Sequence, residues 1–238
     1  MIETAVLAAG PPPDAVAGVT DIVWLTGLLG LLVVGLPLPW RITRTVVTIV
    51  HEAGHALTGF IAGRRLRGIR LHSDTSGVTV SRGRRSGPGM VFTTLAGYPA
   101  PAVLGLVFAG MIRLGWHAAV LGSAAALLLG VLVLVRNIYG VFTVLLAAAV
   151  LGAVAALASQ PVRTGFVYFV CWFLLLAAIR PVFELGSKRR RRGARDSDVD
   201  QLARLTPLPA ALWLFGLGLF AVCCLLGGGA LLLHPVLR

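Results

Sequence analysis

Two histidines and a glutamate at positions 51–55 form a pattern typical of metal chemistry, in the segment His51-Glu52-Ala53-Gly54-His55. Residues four apart lie on one face of a helix, so His51 and His55 can bind the same metal ion. Zinc accepts two imidazoles and a third protein ligand, and it leaves one position for water. Glu52 is turned by about 100° around the helix axis from His51 and can accept a proton from that water, which zinc makes more acidic. The pattern therefore predicts peptide hydrolysis with Glu52 as the general base.

The composition places this motif in a membrane protein. Of the 238 residues, 57% are hydrophobic and 13% are charged, and the mean hydropathy is +0.89. A soluble domain of this length could not cover so much apolar surface. Ionisable groups inside a membrane span are costly and by default mark a functional site. The alternative, a structural polar contact between two helices, would explain one such residue more easily than three in one segment.

The apolar residues fall into segments of the length that crosses a bilayer, about 20 residues each. These segments are 21–39, 44–63, 90–112, 116–135, 138–158, 165–183 and 209–232. They predict an all-α integral membrane protein, a polytopic bundle of six to seven spans. The bundle forms a single domain over residues 21–238, and residues 1–20 are predicted to be a loose N-terminal tail. Gly97-Tyr98-Pro99-Ala100-Pro101 should break the third span. Asn137, between two spans, is interpreted as a turn residue, with an oxyanion donor as the alternative.

The basic residues predict the orientation of the chain. They concentrate in two polar segments, 64–89 and 184–208. If seven spans follow a cytoplasmic N-terminus, 16 of the 21 Lys and Arg residues lie on the cytoplasmic side, and Arg180 is one of them. The other five, which include Arg44, lie on the opposite side of the membrane. The positive-inside rule then makes both basic segments cytoplasmic. The lipid bilayer is the expected partner of these charges, and stacking patterns typical of nucleic-acid binding are absent.

The first basic segment also contains a predicted β-hairpin. Gly68–His72 and Val78–Val80 alternate apolar and polar residues on either side of the turn-forming stretch Ser73–Gly77. A hairpin near the motif could add an extended peptide as a further strand. The alternative is a solvated loop that only enforces topology, because a lone hairpin is marginally stable without support.

The third metal ligand has to be found among few acidic residues, since the chain has only nine. Asp198 is favoured because Ser197 can cap a short helix on which Leu202 and Leu205 share its face. His72, Glu184 and Asp200 remain open as alternatives. The acidic residues Asp196, Asp198 and Asp200 could also serve only to balance the basic run before them.

Three motifs together resemble the site-2 protease family of intramembrane zinc metalloproteases. They are a HExGH helix at His51–His55, a GI-x-x-H…GVT…RG segment at Gly68–Gly83 and an SD-x-x-x-x-A segment at Ser197–Ala203. The resemblance implies zinc bound by His51 and His55, Glu52 as general base, and cleavage of membrane-embedded or membrane-adjacent peptides or proteins. Better-known members supply the third ligand from an Asp-Gly element, and this chain contains no Asp-Gly dipeptide.

Two other classes of function are compatible with the motif. A non-enzymatic scaffold or sensor would bind the metal without hydrolysis. A transporter would use the same residues as a metal or proton relay, but its polar residues should be spread through several spans. The three cysteines show no CxxC spacing and indicate neither a disulfide framework nor a thiolate metal site. The oligomeric state is not indicated by the sequence.

Overall fold

The structure is a computed structural model that describes residues 13–192 and 197–234. For residues 13–19 and Arg192 it describes only the backbone. It consists of helices and one two-stranded sheet. The helices are α1 Pro13–Gly35, α2 Pro37–Ile61, α3 Pro88–Leu95, α4 Pro99–Arg113, α5 His117–Leu134, α6 Ile138–Leu157, α7 Gln160–Ala177, α8 Arg180–Arg192, α9 Asp198–Leu205 and α10 Ala210–Leu233, and the strands are β1 Arg65–Leu71 and β2 Gly77–Arg82. Helix α1 already includes residues 13–20, which the sequence assigned to a tail; residues 1–12 lie outside the described part.

Prolines in the first turn begin several helices, because the ring presets the helical φ and the missing N–H needs no partner there. Pro37 starts α2 directly after Leu36, and the chain bends by 97° between α1 and α2. Pro99 starts α4, and the bend between α3 and α4 is 68°. The predicted break of the third span is therefore confirmed.

The number of helices that could cross a membrane is smaller than the largest predicted number. Four of them are long and apolar enough: α5, α6, α10 and the continuous segment Gln160–Arg191. Counting each of the two bent pairs as one span raises the number to six. A mainly helical fold with a small sheet is thus confirmed, whereas seven spans are not reached among the described residues.

The centre of the bundle is α7, around which α1, α4 and α10 pack. Val167, Cys171 and Leu175 of α7 are completely buried. Gly105 on α4 and Gly228 on α10 allow the close approach, since an added Cβ would lie 2.9 Å and 2.6 Å from the Leu175 side chain. These contacts fix α4, whose first residues adjoin the histidine motif. Helices α5 and α6 instead expose many apolar side chains, as lipid-facing helices do.

The predicted hairpin is present and is supported by its neighbours. Strands β1 and β2 pair antiparallel, with Leu71 opposite Gly77 and a bulge between Leu66 and Gly68. Ile69 and Leu71 are buried against α5 and α6. The Asn137 amide accepts a hydrogen bond from the Leu71 N–H (3.1 Å) and donates one to its carbonyl (2.6 Å), as a neighbouring strand would. Asn137 thus holds the hairpin rather than only forming a turn.

One assignment of the predicted orientation is wrong. Arg44 and Arg180 were placed on opposite sides of the membrane, but both contact the Glu184 carboxylate, at 3.3 Å and 3.1 Å. The predicted span began at residue 44. In the structure α2 begins seven residues earlier, and Arg44 lies two turns inside it, in contact with Glu184.

Candidate metal centre

Helix α2 presents both histidines of the motif on one face, as their spacing predicts. The Nε2 atoms of His51 and His55 lie 3.1 Å apart, and the two rings meet edge to face with centroids 4.7 Å apart. Both rings thus direct the same nitrogen to one point. His55 is buried and His51 is half-buried.

The third donor at this point is Asp198, from the first turn of α9. Its Oδ2 lies 3.1 Å from His51 Nε2 and 3.2 Å from His55 Nε2. The three other sequence candidates lie elsewhere. Glu184 contacts Arg44 and Arg180, Asp200 pairs with Arg189, and His72 contacts the Ser76 hydroxyl at 3.3 Å. Asp196 lies outside the described residues.

Helix α9 is held in place without any help from the histidines. Its predicted cap is present, because the Ser197 backbone N–H and hydroxyl both donate to Asp200 Oδ2, at 3.1 Å and 2.6 Å. Arg189 of α8 forms an ion pair with the other oxygen of Asp200. Burial alone would raise the pKa of Asp200, but these partners outweigh burial and hold it below its usual value. Val199 and Leu202 are completely buried.

The hydrogen bond of His55 Nδ1 is of the kind that metal-binding histidines usually make. His55 Nδ1 lies 2.7 Å from the Thr93 carbonyl, which can only accept, so Nδ1 carries the proton and Nε2 offers a lone pair. In the neutral ring the Nε2 lone pair faces Asp198 Oδ2 at 3.2 Å, and a metal ion between these two atoms would bind both.

The break between α3 and α4 leaves a space beside these donors. A Cβ on Gly97 would lie 2.4 Å from His55 Nε2 and 2.5 Å from His51 Nε2. The helices also approach closely one turn away, where a Cβ on Gly54 would lie 2.6 Å from that of Ala100. Only glycine therefore fits at position 97, above the Nε2 atoms of His51 and His55.

The donor set fits zinc. Donors 2.0–2.1 Å from a tetrahedral zinc ion lie about 3.3 Å from each other, and the three separations here are 3.1, 3.1 and 3.2 Å. Two neutral imidazoles and one carboxylate are common zinc ligands, and the fourth position would stay open. His51, His55 and Asp198 could thus hold the ion.

Glu52 contacts the hairpin through its carboxylate. It is buried, and its Oε2 accepts a hydrogen bond of 2.6 Å from the Thr79 hydroxyl of β2. A Cβ on Gly77 would lie only 2.6 Å from Glu52 Oε1, so β2 packs directly on the carboxylate. The hairpin therefore sets the orientation of Glu52.

A cleft of about 150 Å³ runs along α2 and ends at His51 and Glu52. The hairpin turn, Thr75–Gly77, forms one wall, and Tyr98 and Pro181 form the other. The Tyr98 ring meets the His51 ring edge to face, with centroids 4.9 Å apart. Trp40 and Arg44 line the cleft at its other end. The cleft therefore reaches both motif residues.

A comparison with protein families bears on this arrangement. The model of the family described as Peptidase M50B-like matches residues 24–228, which include the histidine motif, the hairpin and Asp198. The chain belongs to this family. The resemblance to the site-2 proteases is thereby confirmed. No curated protein and no solved structure gave a significant match.

Membership of the Peptidase M50B-like family adds to what the geometry shows. The family indicates a metalloprotease, and its membrane character agrees with the apolar helices, which support a multi-pass membrane protein. The orientation of the loops stays a prediction.

Sequence reasoning missed several parts of this M50B-like centre. The Thr93 carbonyl left no signal, because any residue type supplies a carbonyl. Thr79 was assigned to the hairpin, but nothing in the sequence connected it to Glu52. Gly97 and Tyr98 did leave a signal, since they directly precede Pro99, but this segment was interpreted as a helix break.

Proposed function

We propose that the protein is a zinc-dependent endopeptidase that hydrolyses peptide bonds in membrane-embedded or membrane-adjacent substrates. His51, His55 and Asp198 hold zinc, and Glu52 is the general base. The observation that carries the proposal is the meeting of three donor atoms within 3.2 Å of each other, from residues up to 147 positions apart, beside a buried glutamate. Family membership supports the reaction class.

The residues of the chain divide the chemistry among them. Zinc, when bound, supplies a Lewis acid that polarises the peptide carbonyl and makes water a nucleophile near neutral pH. Glu52 accepts the proton of the attacking water and passes it to the leaving amine. Thr79 fixes the Glu52 carboxylate, and Thr93 fixes the ring of His55. Burial of Glu52 limits access of bulk water, which strengthens these electrostatic effects.

The substrate segment would bind in extended form. Among the described residues the sheet has two strands, so β2 has one edge without a partner strand. A peptide in the cleft passes the hairpin turn on its way to Glu52. Main-chain hydrogen bonds to a strand edge give affinity with little demand on sequence. A helical membrane segment would have to unwind locally before it could bind in this way.

Replacement of Glu52 by Gln tests the proposal. The purified protein is incubated in detergent micelles with a panel of single-span peptides labelled at both ends, products are identified by mass spectrometry, and zinc is measured separately. Glu52→Gln should keep one zinc per chain and lose cleavage by at least about 100-fold, because an amide cannot accept the proton. His55→Ala and Asp198→Ala should lose both zinc and cleavage.

Two outcomes would contradict the proposal. Cleavage at the wild-type rate by Glu52→Gln would exclude this residue as the base. Stoichiometric zinc in Asp198→Ala would exclude that residue as a ligand. Wild-type protein that binds zinc but cleaves no peptide of the panel would favour the non-enzymatic scaffold.

A further inference from the structure

The end of the cleft opposite Glu52 carries an unbalanced charge. The Glu184 carboxylate accepts hydrogen bonds from Trp40 Nε1 at 2.8 Å and Arg180 Nε at 3.1 Å, and it contacts Arg44 Nη2 at 3.3 Å. We define these four residues, Trp40, Arg44, Arg180 and Glu184, as the Glu184 cluster. Two guanidinium groups share one carboxylate in it, so one positive charge remains.

The two arginines of the Glu184 cluster have different roles. Arg180 also donates to the Val34 carbonyl, at the end of α1, and lies over the Trp40 ring at 4.9 Å. Its contacts tie α8 to the bend between α1 and α2. Arg44 has the longer contact with Glu184, lies farther from the Trp40 ring (5.9 Å), and 30% of its side chain is exposed. Among the described residues that line the cleft, Arg44 is the permanent cation.

A half-buried cation without a full counterion favours an anionic ligand. Removing a charge from water is costly unless a partner compensates, and a guanidinium binds a carboxylate with two parallel hydrogen bonds. Glu184 also accepts from Trp40 and Arg180, so it compensates Arg44 only in part. A substrate carboxylate in the cleft would complete the pairing.

The helix geometry sets the distance of this carboxylate from the scissile bond. Arg44 and His51 are seven residues apart on one face of α2, about 10.5 Å along its axis. An extended peptide advances about 3.3 Å per residue, so this distance corresponds to about three residues. We propose that Arg44 is a specificity-determining residue, which binds a substrate carboxylate about three residues from the bond that Glu52 and the metal centre hydrolyse.

This inference rests on the proposed peptidase function but can be tested by binding alone. Binding is measured with the Glu52→Gln protein in micelles by fluorescence anisotropy, using one apolar host peptide that carries Glu, Gln or Lys at a single position. The position is scanned from two to four residues on each side of the central bond. The Glu peptide should bind about tenfold more tightly than the Gln peptide at one position, with little preference elsewhere.

Variants of the Glu184 cluster separate recognition from a structural role. Arg44→Gln should abolish the preference for Glu, and Arg44→Glu should reverse it in favour of Lys. Glu184→Gln frees Arg44 and should strengthen the preference. If Arg44 served only to tie α2 to α8, Glu184→Gln and Arg44→Gln would both leave the preference unchanged or weaken it equally, which would overturn the proposal. Arg41→Gln, an exposed arginine on the same helix, is the matched control and should behave as the parent protein.

Two further arms complete the test. Peptides that end three residues from the central bond, with a free or amidated C-terminus, distinguish a terminal carboxylate from a side chain. Thermal unfolding identifies misfolded variants, and Arg44→Lys, which keeps the charge, should then retain part of the preference. A parent protein without preference for Glu at any position would overturn the inference. Preference without hydrolysis by the wild type would instead contradict the peptidase function and leave the role of Arg44 intact.

Discussion

Replacing Gly97 by alanine should strongly weaken zinc binding without unfolding the protein. The backbone of Gly97 does not adopt a positive φ, so an alanine is compatible with its conformation. The new methyl group, however, would lie 2.4 Å from His55 Nε2 and 2.5 Å from His51 Nε2. Zinc itself binds imidazole nitrogen at about 2.0–2.1 Å. The methyl group and the ion would therefore compete for nearly the same position.

The size of the effect follows from these distances. Even the shortest Cβ contacts seen in proteins are about 3.0 Å, so His55 Nε2 would have to move by about 0.6 Å. Metal and catalytic sites tolerate displacements of about 0.5 Å. Changes that only disturb the groups around metal ligands already cost 10–100-fold in affinity, so we expect at least a 100-fold loss, or about 2.7 kcal/mol.

Zinc content after dialysis against a zinc buffer, measured by mass spectrometry of the purified protein, tests this directly. Gly110→Ala on α4 is the matched control, since a Cβ there meets no atom within 4 Å and should leave zinc binding unchanged. Circular dichroism verifies that both variants keep their helices. Wild-type zinc affinity in a folded Gly97→Ala protein would refute the geometry, because the histidine nitrogens could not then converge beneath this residue.

Two other replacements test how the centre is supported. Asn137→Ala removes both side-chain hydrogen bonds to Leu71. Hydrogen exchange at the Leu71 amide should therefore become at least tenfold faster, while the zinc content stays unchanged. Unaltered exchange would contradict the role of Asn137 in holding the hairpin. Asp200→Ala removes the acceptor for Ser197 and the partner of Arg189. Helix α9 should then lose about 1 kcal/mol of stability, and the zinc affinity should fall about tenfold. Competition with a chelating dye measures this affinity. Full zinc affinity in Asp200→Ala would show that α9 is positioned by its apolar contacts alone.

Features that depend on local patterns could be predicted from the sequence. The i, i+4 spacing of His51 and His55 requires only a helix to bring the rings together. The hairpin follows from alternation around a turn, and the cap of α9 follows from Ser197 before an amphipathic segment. These predictions needed no information about distant parts of the chain, and the described residues agree with each of them.

Features that depend on where separate elements meet could not be predicted with the same certainty. Asp198 was favoured because it shares a helix face with Leu202 and Leu205, but this local pattern left His72, Glu184 and Asp200 open as alternatives. The structure separates Asp198 from Asp200 by helix geometry: Asp198 points to the histidines, and Asp200 closes the cap. Arg44 was placed on the side of the membrane opposite Arg180 because of the predicted order of the spans. Its ion pair with Glu184, 140 positions later in the chain, has no signature in either segment.

The contacts around the centre also explain why metal binding and folding can be studied separately. In many small metal sites the ligands meet only when the ion is bound, so loss of the metal unfolds the protein. Here the histidines belong to a long helix packed in the bundle, and α9 is fixed by its own cap, by Arg189 and by the buried Val199 and Leu202. The donor atoms lie at tetrahedral spacing because these independent contacts place them there. A variant that loses zinc can therefore remain folded, and its loss of cleavage then reports on the chemistry of the centre and not on the stability of the chain.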